Sequence, residues 1–177
     1  MRRLVACLVG VGLLVLVEML APRAQAGGAR NASSPSSAAS RPAPTYAGRW
    51  SLLPSASVFG GTRKPPRSRV DVLSLDGPWV TVHSVTQRDG GDSLVMDFRY
   101  RTDGEAVNKV MGQDMRTVGR REGASLCFDS QARVLMLEVK VAECWTLSAA
   151  GDSLIMRRDS DSPLGREHQR LVFGRAR

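Results

Sequence analysis

The chain has 177 residues, of which 42% are apolar and 5% aromatic, with 25 Lys and Arg against 17 Asp and Glu. This length suits one domain with appendages, and the composition, with only three cysteines, excludes wholesale disorder, collagen, a coiled coil and a disulfide-dense scaffold. Residues 45–177 carry 20 basic and 16 acidic side chains in alternation, so no clustered basic patch predicts a nucleic-acid partner.

The first 26 residues have the order of a secretory signal peptide. Arg2 and Arg3 precede an apolar run of 14 residues, 4–17, and an A-x-A cleavage site ends at Ala26. Such a run rises about 21 Å as a helix, which is short of the ~30 Å hydrocarbon core of a bilayer. The sequence therefore predicts cleavage after Ala26, a secreted or periplasmic protein, and no stable membrane anchor after cleavage.

Residues 27–44 differ in composition from the rest of the chain. They contain Ser, Ala, Pro and Gly but no large apolar side chain. A segment of this kind cannot offset the entropy that ordering costs, so we expect a disordered linker here. Residues 45–177 then form the folded domain.

From Tyr46 onward, apolar and polar residues alternate with a period of two. Two rows that each lie on one face of a predicted strand are Leu94, Met96, Phe98 and Tyr100, and Leu135, Leu137, Val139 and Val141. Asp-Gly and Gly-Asp pairs between such runs supply the positive φ of hairpin turns, and residues 54–59 leave room for one short helical turn. This pattern predicts an all-β, antiparallel up-and-down meander of about eight to ten strands, closed into a barrel.

A short internal repeat accompanies the alternation. The residues Gly-Asp-Ser-Leu stand at 91–94 and 151–154, with Gly-Ala-Ser-Leu at 123–126, which predicts three equivalent hairpins. A hydrolase family shares the first four residues, but no helix follows them and neither His83 nor His168 has Asp three positions before it. A serine without a base is inert, so we predict no enzyme, and two histidines predict neither a metal site nor a cofactor.

Cys127 and Cys144 remain after the predicted cleavage, an even number in an oxidising compartment. A disulfide between them is chemically reasonable. A whole predicted strand, 133–142, separates them, which argues against the bond because neighbouring strands lie about 4.8 Å apart. The two cysteines could still meet where strands end at a barrel rim, so both outcomes remain open.

The segment Gly48-Arg49-Trp50, followed by Ser57-Val58-Phe59-Gly60, resembles the start of lipocalin-like domains, in which Gly-x-Trp begins the first strand. It is also similar to a group of uncharacterised bacterial secreted proteins with Gly-x-Trp and then Ser-x-Phe-Gly. The resemblance extends over residues 46–175 and implies a lipocalin-like barrel in a bacterial protein. It also implies that Gly48 and Trp50 close one barrel end, with Arg170 or Arg175 stacked across the indole.

Two functions follow from a barrel of this kind. In the first, the exported barrel binds a small apolar ligand in its interior. The residues predicted to line that site are Met96, Phe98, Tyr100, Leu135, Leu137 and Val139. In the second, the barrel is a non-enzymatic interaction or structural module with a filled core that contacts an envelope protein. An interior void would favour the first function, and a filled interior the second.

Overall fold

The computed structural model describes residues 44–61, 64–134 and 136–176. Their strands are β1 (Gly48–Leu52), β2 (Ser68–Asp76), β3 (Trp79–Gln87), β4 (Ser93–Arg101), β5 (Glu105–Val110), β6 (Gln113–Glu122), β7 (Ser125–Val134), β8 (Leu137–Leu147), β9 (Ser153–Ser162) and β10 (Gly165–Arg175). A 3₁₀ turn, Pro54–Ala56, follows β1. The predicted all-β antiparallel meander is confirmed, and it contains ten strands.

Three predictions fall on residues outside the described ones. They are the signal peptide at 1–26, the linker as far as residue 43, and the lining position Leu135. Among the residues that the structure does describe, no helix is long and apolar enough to cross a membrane.

The strands follow one another around a sheet in the order β4-β3-β2-β1-β10-β9-β8-β7-β6-β5. The sheet edges, β4 and β5, face each other along a seam that nearly closes the barrel. At this seam the Asn108 side chain replaces a backbone ladder: its Oδ1 accepts from the Arg99 N–H at 2.7 Å, and its Nδ2 donates to the Arg99 carbonyl at 3.1 Å.

The seam also depends on a glycine. A Cβ atom on Gly119 would lie 1.7 Å from the carbonyl oxygen of Arg101, which no side chain can tolerate. The end of β4 therefore approaches the backbone of β6 directly, the close contact for which strand glycines are often needed.

Strand direction defines two ends of the barrel. The lower end holds the start of β1 and the turns that precede β7 and β9, whereas the upper end holds the turns that precede β4, β6 and β10. Leu126 and Leu154, at the lower end, are fully buried, but Leu94, at the upper end, is 38% exposed. The prediction of three equivalent hairpins is therefore wrong, because three strand reversals separate β4 from β7 and only two separate β7 from β9.

The core fills the lower half of the barrel. Every second strand residue points inward, so the alternating apolar rows meet there. The largest fully buried apolar side chains are Trp50, Trp145, Phe128, Phe173, Leu126, Leu154, Met156 and Val80. The Phe128 ring lies 4.7 Å from that of Tyr100 and 4.8 Å from that of Trp145. Burying each large apolar side chain stabilises the fold by roughly 1.5–3 kcal/mol.

Trp50 and Arg175 seal the lower end. The Trp50 Nε1 donates to the Tyr46 carbonyl at 2.8 Å, and the Arg175 guanidinium lies 4.2 Å from the centroid of the Trp50 ring. Arg175 also donates to the carbonyls of Thr45 (2.5 Å), Ala47 (2.8 Å) and Gly151 (2.9 Å). Arg170, the other candidate for the stacking, instead donates to the Ala56 carbonyl at 3.2 Å, on an exposed part of β10.

Gly48 and Tyr46 complete this seal. Gly48 has φ +140°, and a Cβ there would lie 2.5 Å from Nη1 of Arg175, so the absent side chain leaves room for the guanidinium. The Tyr46 hydroxyl lies 2.6 Å from the Ala124 carbonyl and 2.9 Å from the Trp145 carbonyl. The residues before β1 are thereby tied to the turns of the lower end.

Cys127 and Cys144 stand directly opposite each other on β7 and β8 and form a disulfide. The predicted strand 133–142 is wrong, because β7 ends at Val134 and β8 begins at Leu137, with Met136 in the turn at φ +71°. The two sulfurs lie close to the Glu122 carboxylate. Since both are held in the disulfide, they offer no thiolate to a metal at this place.

Candidate ligand-binding cavity

A cavity of about 260 Å³ lies above the packed core, in the upper half of the barrel. The apolar part of its wall consists of Met96, Phe98, Val110, Met115, Phe128 and Val141. Val110 is the last residue of β5 and Met115 the third of β6, so the cavity extends towards the upper end. The interior is therefore filled in its lower half and hollow in its upper half.

The predicted lining residues divide into three groups. Met96, Phe98 and Tyr100 line the cavity. Leu137 and Val139 are partly buried on the same row of β8 as Val141, but they lie outside the lining. Leu135 is outside the described residues.

Four charged side chains lie beside the apolar wall, and we call Arg69, Asp71, Glu143 and Arg158 the charged quartet. In its first pair, Arg69 donates from Nε and Nη2 to the Asp71 carboxylate at 2.9 and 2.8 Å. The Ser84 hydroxyl donates to the same carboxylate at 2.7 Å. Asp71 has no exposed surface, and these bonds satisfy a buried charge that would otherwise be very costly.

The second pair joins β8 and β9. Glu143 accepts from the indole Nε1 of Trp145 through one carboxylate oxygen and from Nε of Arg158 through the other. Burial lowers the pKa of Arg158, but the charge of Glu143 and the hydrogen bond to it raise this pKa, and the net shift is upward. Arg158 is therefore charged at every accessible pH.

Tyr100 lies between the apolar wall and the charged quartet. Its ring lies 5.7 Å from that of Phe98 in a stacked arrangement. Burial raises the pKa of Tyr100, and the charge of Glu143 raises it further. Its hydroxyl forms no hydrogen bond with any described residue, so this donor remains available to the cavity.

The sequence prediction missed the charged half of the site. It named no charged residue in the lining, although Glu143 occupies the row of β8 that also holds Val141 and Trp145. That position was the available signal, because an acid within an apolar row points inward with its neighbours. The four members come from β2, β8 and β9, so only the fold brings them together.

Both histidines lie away from the cavity. Nδ1 of His83 lies 2.7 Å from Oδ1 of Asp97, and His168 makes the same kind of contact with Asp159. All four side chains are more than half exposed. These pairs belong to the outer face of the barrel.

No protein-family model matches the chain, and no curated protein sequence matches it. Among solved structures it is similar to a point mutant of the fluorescent protein UnaG, with 10% identity over 75% of this chain and 96% of that one, at a TM-score of 0.49. A secretory abundant heat soluble protein from Ramazzottius varieornatus gives 8% identity, 74% and 95% coverage and a TM-score of 0.48. Fatty-acid-binding protein 1 of Echinococcus granulosus gives 6% identity, 75% and 98% coverage and a TM-score of 0.44. At these identities the comparison concerns the fold alone.

Proposed function

We propose that this chain is an exported, non-enzymatic β-barrel protein that binds a small, mainly apolar molecule inside the barrel. The observation that carries the proposal is the cavity of about 260 Å³, with two methionines, two phenylalanines and two valines in its wall. Ligand pockets usually measure about 300–1,000 Å³ and are mostly apolar with a few polar groups. This cavity lies just below that range and therefore suits a small ligand.

The wall chemistry fits such a ligand. Methionine side chains adapt to irregular shapes, and the Phe98 and Phe128 rings offer flat apolar surface. Arg69, Glu143 and Arg158 form the charged part of the lining, so a bound molecule would place its polar group against them and its apolar body towards Met96 and Met115.

Export is the second part of the proposal. The signal-peptide order of residues 1–26 supports it, and the disulfide between Cys127 and Cys144 is of a kind that persists in an oxidising compartment. N-terminal sequencing of the protein from a fractionated native cell should find it outside the cytoplasm and beginning at Gly27. Recovery of the uncleaved chain in the cytoplasm would contradict export.

Native mass spectrometry of the mature protein, recovered from the envelope of the exporting cell, tests binding. We expect a reproducible small-molecule adduct that disappears on denaturation. Met96→Trp should abolish the adduct because the larger side chain fills the cavity, whereas Val95→Trp should keep it, since Val95 is 53% exposed on the outer face of the same strand. Binding that survives Met96→Trp would place the ligand elsewhere.

The filled lower half of the barrel supports the alternative function, an interaction or structural module that contacts an envelope protein. The mature protein recovered from the envelope also distinguishes the module from the ligand-binding function. Absence of any adduct in native protein, together with a specific protein cross-linked in the envelope, would favour the module and overturn the ligand proposal.

A further inference from the structure

The members of the charged quartet differ in how deeply they are buried. The side chains of Asp71 and Glu143 are 0% and 8% exposed, while those of Arg69 and Arg158 are 15% and 31% exposed. The carboxylates are thus the more deeply buried groups. Arg69, Glu143 and Arg158 line the cavity, and the two guanidinium groups bring N–H donors to it.

Some of these donors are not used within the described part of the chain. Arg69 commits Nε and Nη2 to Asp71, and Arg158 commits Nε to Glu143. Nη1 of Arg69, both Nη atoms of Arg158 and the Tyr100 hydroxyl make no hydrogen bond with a described residue, and all three side chains line the cavity. The part of the cavity that these residues line is therefore suited to a hydrogen-bond acceptor.

The charge balance decides which acceptor fits. Two cations and two anions already neutralise one another, so a carboxylate brought into the cavity would add a buried charge without a free counter-ion. A hydroxyl, carbonyl or carboxamide oxygen would accept the same hydrogen bonds without that cost. The Tyr100 phenol gives independent support, because burial and Glu143 raise its pKa, which means that a negative oxygen is disfavoured at this position.

We propose that the cavity selects a neutral, hydrogen-bond-accepting head group over a carboxylate on the same apolar body, with Arg69, Arg158 and Tyr100 as the donors. This inference rests on the proposed ligand binding, and it specifies the chemical class of the ligand. An anionic amphiphile enters only in its protonated form.

Two probes with the same chain, octanamide and octanoate, test the preference by calorimetry on the mature protein. At about pH 7.5 octanamide should bind at least about tenfold more tightly than octanoate. As the pH falls towards about 5, octanoate should bind more tightly, because more of it is the neutral acid, while octanamide should not change. This comparison of the two probes uses the native protein and requires no variant.

Matched variants identify the residues responsible. Glu143→Gln keeps the size of the side chain but leaves one guanidinium charge unpaired, so affinity for octanoate should rise relative to affinity for octanamide. Asp71→Asn changes the charge by the same amount from the other side of the quartet and should shift the preference in the same direction. Asp97→Asn removes an acid from the outer face and should leave the ratio of affinities unchanged.

The possible outcomes distinguish failure of the neutral-head preference from failure of the proposed ligand binding. Octanoate binding as tightly as octanamide at neutral pH would overturn the neutral-head preference and leave ligand binding intact. If neither probe binds and native protein carries no adduct, ligand binding itself fails. An unchanged preference in both Glu143→Gln and Asp71→Asn, with both variants folded, would overturn the role of the quartet.

Discussion

At the scale of single residues, the two tyrosines make the stability of the fold depend on alkaline pH. Tyr46 and Tyr100 are its only tyrosines, and burial raises the pKa of each above the ordinary value of 10.0. Because the folded-state pKa lies above the unfolded one, the neutral phenols stabilise the fold fully below the unfolded pKa. This stabilisation is lost as the pH rises through the folded-state value.

An alkaline titration checks this expectation. Native protein should show almost no phenolate absorbance near pH 10, and the absorbance should develop together with unfolding at higher pH. Tyr100→Phe should weaken the alkaline decline in the free energy of unfolding, since Phe cannot ionise and the Tyr100 hydroxyl has no described hydrogen-bond partner. A phenolate midpoint near pH 10 in folded protein would contradict the prediction.

At the scale of elements, the sequence predicts the strands well where turns carry the usual residues. The turns before β3, β4 and β9 contain Asp-Gly or Gly-Asp pairs with glycines at positive φ, as predicted for hairpin turns. The β7–β8 turn was missed because apolar residues run on from Val134 to Leu137 without Gly or Asn. Met136 adopts positive φ there although its side chain gives no such signal, and the error placed a strand between the two cysteines.

The seam between β4 and β5 gives a second prediction. Asn108→Ala removes both hydrogen bonds to Arg99, and each such bond contributes about 1 kcal/mol. The free energy of unfolding should therefore fall by roughly 1–2 kcal/mol, and hydrogen exchange at the Arg99 amide should become about tenfold faster. Val107→Ala, on the exposed face of the same strand, is the control and should leave the Arg99 amide protected. Equal exchange in both variants would show that the side-chain bridge does not hold the seam.

At the scale of the whole molecule, the hollow upper half could not be read from the sequence. Alternation identifies which residues point inward, but it does not give the volume that they leave between them. Met96 and Phe98 were assigned to the lining because they belong to an apolar row, and so were Leu137 and Val139, which lie outside it. The distinction depends on which level of the barrel each residue reaches, and this follows from the strand register.

Global stability should depend on the disulfide. It closes a loop with a sequence separation of 17, and removing it should lower the free energy of unfolding by about 3 kcal/mol. Denaturant unfolding of the Cys127→Ser, Cys144→Ser double variant measures this cost. A reductant should destabilise the native protein by a similar amount and leave the double variant unaffected. If reduction left the unfolding midpoint of native protein unchanged, the prediction would fail.

The two ends of the described domain meet at the lower end of the barrel. Arg175 donates to the Thr45 carbonyl, and the Ala176 N–H donates to the Arg49 carbonyl at 2.8 Å. The cavity lies in the opposite half. A fusion partner or an immobilising tag joined through either end of the domain would therefore sit on the far side from the cavity, so a sensor surface built in this way would present every barrel with its binding side towards the solution.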